Sequence, residues 1–191
     1  MPKTSFSYCL IAGWAEGRWK THPFLDGLDE IGGRQIKDPA KADVVITHSA
    51  GGHSIPQTNA KLVVIIGPIY GTHQPLLIKT FQEWLSDTFY LFKRGLVLPW
   101  LFKNIYYLLF ALSHPIQTVR TYSVLCESLD LSSLKAYKVL LIRNQKDFFC
   151  GPQIKAAASK FKNIDYVEVP GPHDDVWQNP APYVALIREA I

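Results

Sequence analysis

The sequence predicts an α/β fold, built on a mostly parallel sheet of about five or six strands with helices on both faces. Short runs of apolar, mostly β-branched residues recur along the chain, as in strands that are buried on both faces of a sheet. Several of these runs are separated by segments whose apolar residues have the spacing of a helix face. The 191 residues, 48% of them hydrophobic and 19% charged, suit a single domain with a sizeable core.

Composition gives no support for a nucleic-acid partner. The net charge of +4 comes from 20 basic and 16 acidic residues, and no run of Lys and Arg is present, so no basic patch is predicted. The cysteines, Cys9, Cys126 and Cys150, are far apart and form no C-x-x-C motif, which fits a reducing compartment. The first residues lack the apolar segment of a secretory signal. We therefore expect a cytoplasmic location.

In the first part of the chain, a strand is predicted over residues 6–12 and a helix over residues 20–31. Four apolar residues share one face of this helix: Phe24, Leu25, Leu28 and Ile31. Residues 34–37 resemble a short strand, but only five residues separate them from the strand that begins at residue 43. Neighbouring parallel strands normally need a crossover of about a dozen residues. Either the sheet is pared down here or residues 34–37 are not a strand.

Residues 72–134 break the alternation of strands and helices, and we predict that they form a helical cap inserted into the single domain 1–191. The insertion follows a strong strand signal at residues 61–66 and contains helical patterns at residues 81–92 and 104–112. Pro115 is suited to the first turn of a further helix.

The apolar character of residues 96–112 raises the question of a membrane. Pro99 and Lys103 interrupt the segment, and the uninterrupted part is shorter than the roughly 20 residues of a membrane span. A cap packed on its own core is one interpretation. Contact with a membrane surface is the other, through the basic residues Lys93, Arg94 and Lys103 among the aromatic residues Trp100, Phe102, Tyr106 and Tyr107. We expect the first, and hence at most weak binding to lipid vesicles.

The alternation resumes in the last third of the chain. Strands are predicted at residues 137–142 and 164–169, with a helix between them that opens at Gly151. A final helix is predicted from about residue 182, with Asn179 as a candidate cap.

Residues 43–53 join an apolar strand to a turn of small residues around Ser49. A serine on such a sharp turn projects its hydroxyl clear of the sheet, and close backbone approach favours small residues two positions before and after it. Gly51 meets this demand, whereas Thr47 is larger than expected. On its own the stretch also fits an ordinary strand-to-helix connection. It resembles the G-x-S-x-G nucleophile elbow of the α/β-hydrolase superfamily, with Thr47 in place of the first glycine.

Two further residues follow predicted strands in the order that this superfamily presents. A neutral serine is a weak nucleophile that needs an adjacent base, usually an imidazole oriented by a carboxylate. Asp147 follows one strand and His173 follows the last, which matches the chain order serine, acid, histidine. The resemblance covers nearly all of the chain outside the cap and implies a Ser49–Asp147–His173 triad. A helix-capping role near Gly151 remains the alternative for Asp147.

The resemblance also implies a mechanism and a substrate class. The oxyanion hole would take backbone N–H groups from Trp14, after the first strand, and from Ala50. No cofactor is required for such acyl transfer. The aromatic and aliphatic cap favours a small-molecule ester with an apolar acyl or aryl group, as in carboxylesterases and lipases. The rival hypothesis is a catalytically silent binding protein that docks a partner or membrane surface through the cap, and the oligomeric state is left open.

The other histidines and acids have minor expected roles. Asp174 and Asp175 are expected to cap a helix or to be solvated, and His48 to pack or hydrogen-bond near the site. His53 either lines the pocket or faces the cap. No histidine or cysteine pair has the spacing of a zinc site, and no glycine-rich nucleotide loop follows a strand, so no metal is expected.

Overall fold

The computed structural model describes residues 5–13, 18–70, 76–124 and 127–191. Its centre is a six-stranded sheet, parallel at every pairing, in the order β2-β1-β3-β4-β5-β6. The strands are β1 (Phe6–Ile11), β2 (Gly33–Gln35), β3 (Val44–His48), β4 (Leu62–Ile66), β5 (Val139–Asn144) and β6 (Ile164–Val169). The predicted parallel sheet is therefore confirmed.

The stagger of β2 and β3 explains their short connection. β2 pairs with the first half of β1, where Gln35 lies opposite Tyr8, and β3 pairs with the second half, where Val44 lies opposite the same Tyr8. The chain therefore steps across β1 without returning along the sheet, passing Cys9, whose thiol lies 3.6 Å from the carbonyl oxygen of Lys37. A long crossover connection brings the chain back to the level at which the previous parallel strand began. No such return is needed here, because β3 begins at the level where β2 ends. Of the two alternatives for residues 34–37, the pared-down sheet is confirmed, because the short strand β2 forms over Gly33–Gln35.

Helices cover both faces of the sheet, as predicted. The helices outside the insertion are α1 (Arg18–Glu30), α5 (Ile154–Ala158), α6 (Asp175–Gln178) and α7 (Ala181–Ala190). α1, α6 and α7 share one apolar cluster with Ile46 and Val64, whereas α5 shares another with Val63 and Ile65. Successive strand residues thus point to opposite faces. Each fully buried aliphatic side chain contributes about 1.5–3 kcal/mol to folding.

The predicted cap at Asn179 is wrong. Residues Asp175–Gln178 already form α6, so Asn179 closes that short helix, its N–H donating to the carbonyl oxygen of Asp175 over 2.8 Å. α7 begins at Ala181 with Pro180 before it. Proline suits this position because the first turn of a helix has no intrahelical acceptor for its N–H groups.

Three helices connect β4 to β5 and are called the insertion below: α2 (Leu76–Lys93), α3 (Val97–Ser113) and α4 (Pro115–Val124). Each predicted helical segment lies within one of them, and Pro115 begins α4 as expected. α3 starts earlier than predicted because Pro99 stands in its first turn, where proline is tolerated. Over the described ranges, no helix combines the length and apolarity that a bilayer crossing requires.

Candidate active site

The strand order places the predicted nucleophile at the point where the chain changes direction across the sheet. From β1 the chain moves first to β2 on one side and then to β3 on the other. In open α/β sheets, ligands bind in the crevice at the carboxyl ends of the two strands that flank such a switch. Ser49 follows β3 directly and Gly13 lies beyond the end of β1, so both border this crevice.

The backbone at Ser49 has the strained geometry of a nucleophile elbow. Its φ of 54° makes it the one non-glycine residue with positive φ in the described part of the chain. This conformation costs an L-residue about 1–2 kcal/mol, so the surrounding structure must impose it. A Cβ at Gly51 would overlap the carbonyl oxygen of Ile11, which explains the need for glycine two positions after the serine.

Thr47, which replaces the first glycine of the motif, fits without opening the elbow. Its side chain is fully buried, and its hydroxyl lies 3.5 Å from the carbonyl oxygen of Val64 on the adjacent strand. The threonine hydroxyl therefore points toward β4, and a Cβ at Gly52 in the turn would lie 3.8 Å from it.

Asp147 and His173 form a buried pair. Asp147 Oδ2 lies 2.7 Å from His173 Nδ1, and because a carboxylate only accepts, Nδ1 carries the proton and Nε2 is the nitrogen left for a hydroxyl. Asp147 Oδ1 accepts the N–H groups of Phe149 and Cys150. The aspartate thus orders its own turn and the imidazole together, and the ring of Phe149 packs edge-on against His173 at 5.1 Å.

The pair lies over the end of β4, beside the nucleophile strand. Gly67 follows β4 with a φ of 52°, and a Cβ there would lie 3.1 Å from Asp147 Oδ2 and 3.2 Å from His173 Nδ1. His48, which immediately precedes Ser49, places its ring 4.8 Å from that of His173 and donates from Nε2 to the His173 carbonyl oxygen over 3.1 Å. This is the packing and hydrogen-bonding role predicted for His48.

The structure therefore brings Asp147 and His173 into contact and ties the His173 loop to the residue before Ser49. Within the described ranges, no hydrogen bond joins Ser49 to His173 itself. Catalytic hydrogen bonds are often long in ligand-free enzymes and tighten with substrate. The predicted oxyanion donor Trp14 lies outside the described residues, whereas Ala50 follows Ser49 in a 3-10 helix over Ser49–Ser54.

Three carboxylates act on the protonation of His173. Burial opposes the charged imidazolium, but the negative charges of Asp147, Glu83 and Asp174 outweigh it and raise the pKa of His173 to about 9. The contact with Asp147 makes the largest favourable contribution. The resting site therefore favours the imidazolium near neutral pH, and a base role requires loss of that proton.

Glu83 is a site residue that the sequence analysis missed. From α2, its two carboxylate oxygens accept the N–H groups of His173 over 2.8 Å and of Phe148 over 2.9 Å, so one side chain holds the loop of His173 and the loop of Asp147. Burial and the charge of Asp147 raise the pKa of Glu83. The available signal was the spacing of Lys79, Glu83 and Asp87, a charged stripe on a mostly apolar helix.

A second polar network links the insertion to the residues after His173. Lys103 lies 2.8 Å from Asp174 and 2.6 Å from Asp87, and the hydroxyl of Tyr107 donates to Asp174 over 2.9 Å. Asp175 accepts hydrogen bonds from Tyr90 and Tyr183.

The expectation that Asp174 and Asp175 cap a helix or are solvated is therefore wrong. Their side chains are buried against the insertion and the closing helix. Asp174 stands at the N-cap position of α6, but its side chain makes no capping hydrogen bond there.

Three further features involve candidate residues: a His–His–Asp cluster, Cys150 and His53. His48, His173 and Asp174 lie close enough to hold a metal ion, but each already has a protein partner, and the Lys103 ammonium beside Asp174 disfavours a cation. Burial raises the pKa of the Cys150 thiol, as expected of a small buried residue. His53 is half-buried within the 3-10 helix that begins at Ser49.

Comparisons with solved structures identify the fold of the chain, whereas comparisons of sequence find no match. No family model and no curated protein matches the sequence. Among solved structures, MGS-M2, an α/β hydrolase from a Medee basin deep-sea metagenome library, superposes with a TM-score of 0.68 at 14% identity, covering 98% of this chain and 89% of that chain. The esterase EaEST from Exiguobacterium antarcticum gives a TM-score of 0.64 at 9% identity, with 98% and 92% covered.

A serine hydrolase, CCSP0084 from the polyaromatic hydrocarbon-degrading bacterium Cycloclasticus zankles, gives a TM-score of 0.63 at 13% identity, covering 97% of this chain and 89% of that chain. These alignments extend over almost the whole of both chains, and the identities support a statement about architecture only. The chain has the α/β-hydrolase fold.

Proposed function

We propose that the protein is a serine hydrolase that cleaves carboxylic esters bearing an apolar acyl or aryl group. The observation that carries the proposal is the buried Asp147–His173 pair, with 2.7 Å between Oδ2 and Nδ1, beside a serine held at positive φ. Histidine oriented by a carboxylate is the arrangement that activates a serine hydroxyl.

In the proposed reaction, Ser49 Oγ attacks the ester carbonyl carbon while its proton passes to Nε2 of His173. The C–O bond to the alcohol then breaks, and Nε2 returns the proton to the leaving oxygen. Water attacks the acyl-enzyme by the same route and releases the acid. Asp147 remains ionised and holds Nδ1–H throughout, while the N–H groups of Ala50 and Trp14 stabilise the oxyanion.

Apolar side chains beside the acid support an apolar substrate. Phe148 directly follows Asp147 and is 40% exposed, while Phe149 packs on His173. Pockets that bind small molecules are largely apolar with a few polar groups that orient the ligand. We further propose that the insertion acts as a cap, because Glu83 and Lys103 bind the loop that carries His173.

A fluorophosphonate probe tests whether Ser49 is activated, because an activated serine oxygen displaces fluoride from phosphorus and becomes covalently labelled. We expect labelling of the wild type, and its loss in Ser49→Ala and His173→Ala. Ser54→Ala is the matched control, since Ser54 lies exposed in the same 3-10 helix, and it should label like the wild type.

Labelling of Ser49→Ala at the wild-type rate would contradict the assignment of the nucleophile. A folded wild type that neither labels nor hydrolyses p-nitrophenyl esters from acetate to decanoate would contradict the hydrolase proposal. That result would favour a silent binding protein.

A further inference from the structure

On α3 the charged residue faces inward and the apolar residues face outward, which is the opposite of a surface helix in a soluble protein. Its single charged residue, Lys103, is buried and faces the loop after His173. Large aliphatic and aromatic side chains, 46–70% exposed, form its outer face: Leu98, Phe102, Ile105, Leu108, Leu109 and Leu112. Surface helices of soluble proteins place charged residues outward and apolar residues toward the core.

The apolar surface continues onto the helices on either side. On α2, Phe89 is 71% exposed, and on α4 Ile116 and Val119 are 72% and 69% exposed. α3 packs against both of these helices. Soluble monomers rarely expose an apolar area built from so many large side chains, and where they do it marks an interaction surface.

The exposed charges of the insertion have one sign. Over residues 76–124 the acidic residues are Glu83 and Asp87, and both are buried and bonded inward. The exposed charged residues in the same range are Lys93, Arg94 and Arg120. Arg94 donates to the hydroxyl of Tyr90, which in turn bonds the buried Asp175, so its charge lies toward the body of the fold. The cations that accompany the outer apolar side chains are therefore Lys93 and Arg120.

We propose that the outer face of the insertion docks on the surface of an anionic lipid membrane, with α3 in the plane of the interface. A helix with an apolar face and basic neighbours binds there by burying that face at the headgroup boundary. With 17 residues, α3 is about 25 Å long. Trp84, at the α2–α3 contact, is 42% exposed, and tryptophan favours the membrane–water interface.

A second copy of the chain fits this face less well than a lipid surface. A two-fold interface places the same patch on both partners, so the cations of both copies would border it while the acids of the described insertion face inward. An anionic bilayer supplies the missing charge, at about 1 kcal/mol for each Lys or Arg near its surface. The sequence led us to expect at most weak binding to lipid vesicles. Because this apolar face is exposed, we propose strong binding to anionic vesicles instead.

Docking would place the membrane on the far side of α3 from the catalytic loop. Lys103 and Tyr107 contact Asp174 from the inner side of α3, next to His173. The inference does not require hydrolysis, so Ser49→Ala should bind vesicles like the wild type even if it lacks esterase activity.

Co-sedimentation with vesicles tests the proposal. Vesicles of phosphatidylcholine alone are compared with an equimolar mixture of phosphatidylcholine and phosphatidylserine. We expect binding to the mixed vesicles that falls as salt is added. Leu98→Gln/Leu109→Gln/Leu112→Gln should weaken it about tenfold or more. Lys93→Glu/Arg120→Glu should lower the preference for phosphatidylserine by about fivefold per charge or more.

The matched control is Lys160→Glu/Lys162→Glu, an exposed basic pair after α5 and outside the insertion, which should bind like the wild type. Wild-type protein that stays in the supernatant with both vesicles would overturn the proposal. So would equal binding by the wild type and the triple Gln variant. Light scattering that shows a dimer disrupted by the same Gln substitutions, without vesicle binding, would assign the face to self-association instead.

Discussion

The sheet and the insertion are built with opposite polarity. In the sheet, the central residues of β3 and β4 are apolar and wholly buried, among them Ile46 and Ile65. In the insertion, the charged side chains of Glu83 and Lys103 are buried, whereas Leu112 is 70% exposed. One region follows the rule that apolar side chains lie inside, and the other reverses it.

This difference separates what stabilises the fold from what positions the site. Burial of apolar area is the main favourable contribution to folding, and the sheet supplies it. A buried ion pair contributes little net stability because desolvation offsets the attraction, although removal of one partner is costly. We therefore infer that the buried charges of the insertion mainly hold Asp174 and His173 in place.

The largest effect is expected at Asp147, in the turn that follows the sheet strand β5. In Asp147→Asn, the side-chain oxygen can still accept the turn N–H groups, but the amide presents a donor to His173 Nδ1 and favours the wrong tautomer. Loss of a triad aspartate in this way lowers kcat about 10⁴-fold. Ester hydrolysis by the variant checks this. Asp165→Asn, at an exposed position on β6, should be unaffected, and a loss below about tenfold would argue that another group orients His173.

Lys103→Met tests the reversed polarity by leaving Asp87 and Asp174 buried without their cation. We expect a loss of about 3–5 kcal/mol in the free energy of unfolding, as for other broken buried pairs. Urea denaturation measures it. The exposed Lys93→Met should change stability by less than about 0.5 kcal/mol. Equal effects of the two substitutions would mean that the Lys103 ion pairs do not anchor the insertion.

Glu83→Gln links the two regions through the pKa of His173. Negative charges raise that pKa, and the base must be neutral to act, so kcat/KM should rise with pH through it. Removing the Glu83 charge lowers the pKa of His173, so this rise should move to lower pH. A pH–rate profile beside the exposed Glu189→Gln measures the shift. An unchanged profile would restrict Glu83 to a role in folding.

The sequence predicted the sheet better than the insertion, for a physical reason. Strands such as residues 62–66 are buried on both faces. A continuous run of apolar residues therefore predicts their burial without knowledge of the rest of the fold. Ser49 and Asp147 were predicted as site residues because each follows such a strand, and His173 because it follows the half-exposed edge strand β6. In α3 the apolar majority suggested the buried side, yet Lys103 occupies it. Its partner Asp174 lies 71 positions along the chain, and local spacing carries no information about that contact.

The smallest expected effect examines the other side of that reversal. Leu109 is 58% exposed on the outer face of α3, so Leu109→Gln removes little buried area and keeps good helix propensity. The free energy of unfolding should change by less than about 0.5 kcal/mol. The matched Leu141→Ala in the sheet, where the side chain is fully buried, should cost about 2–5 kcal/mol. Urea denaturation at low protein concentration without lipid compares them. A cost above about 2 kcal/mol for Leu109→Gln would mean that this face is already packed in the isolated protein, which removes the reason for a membrane partner.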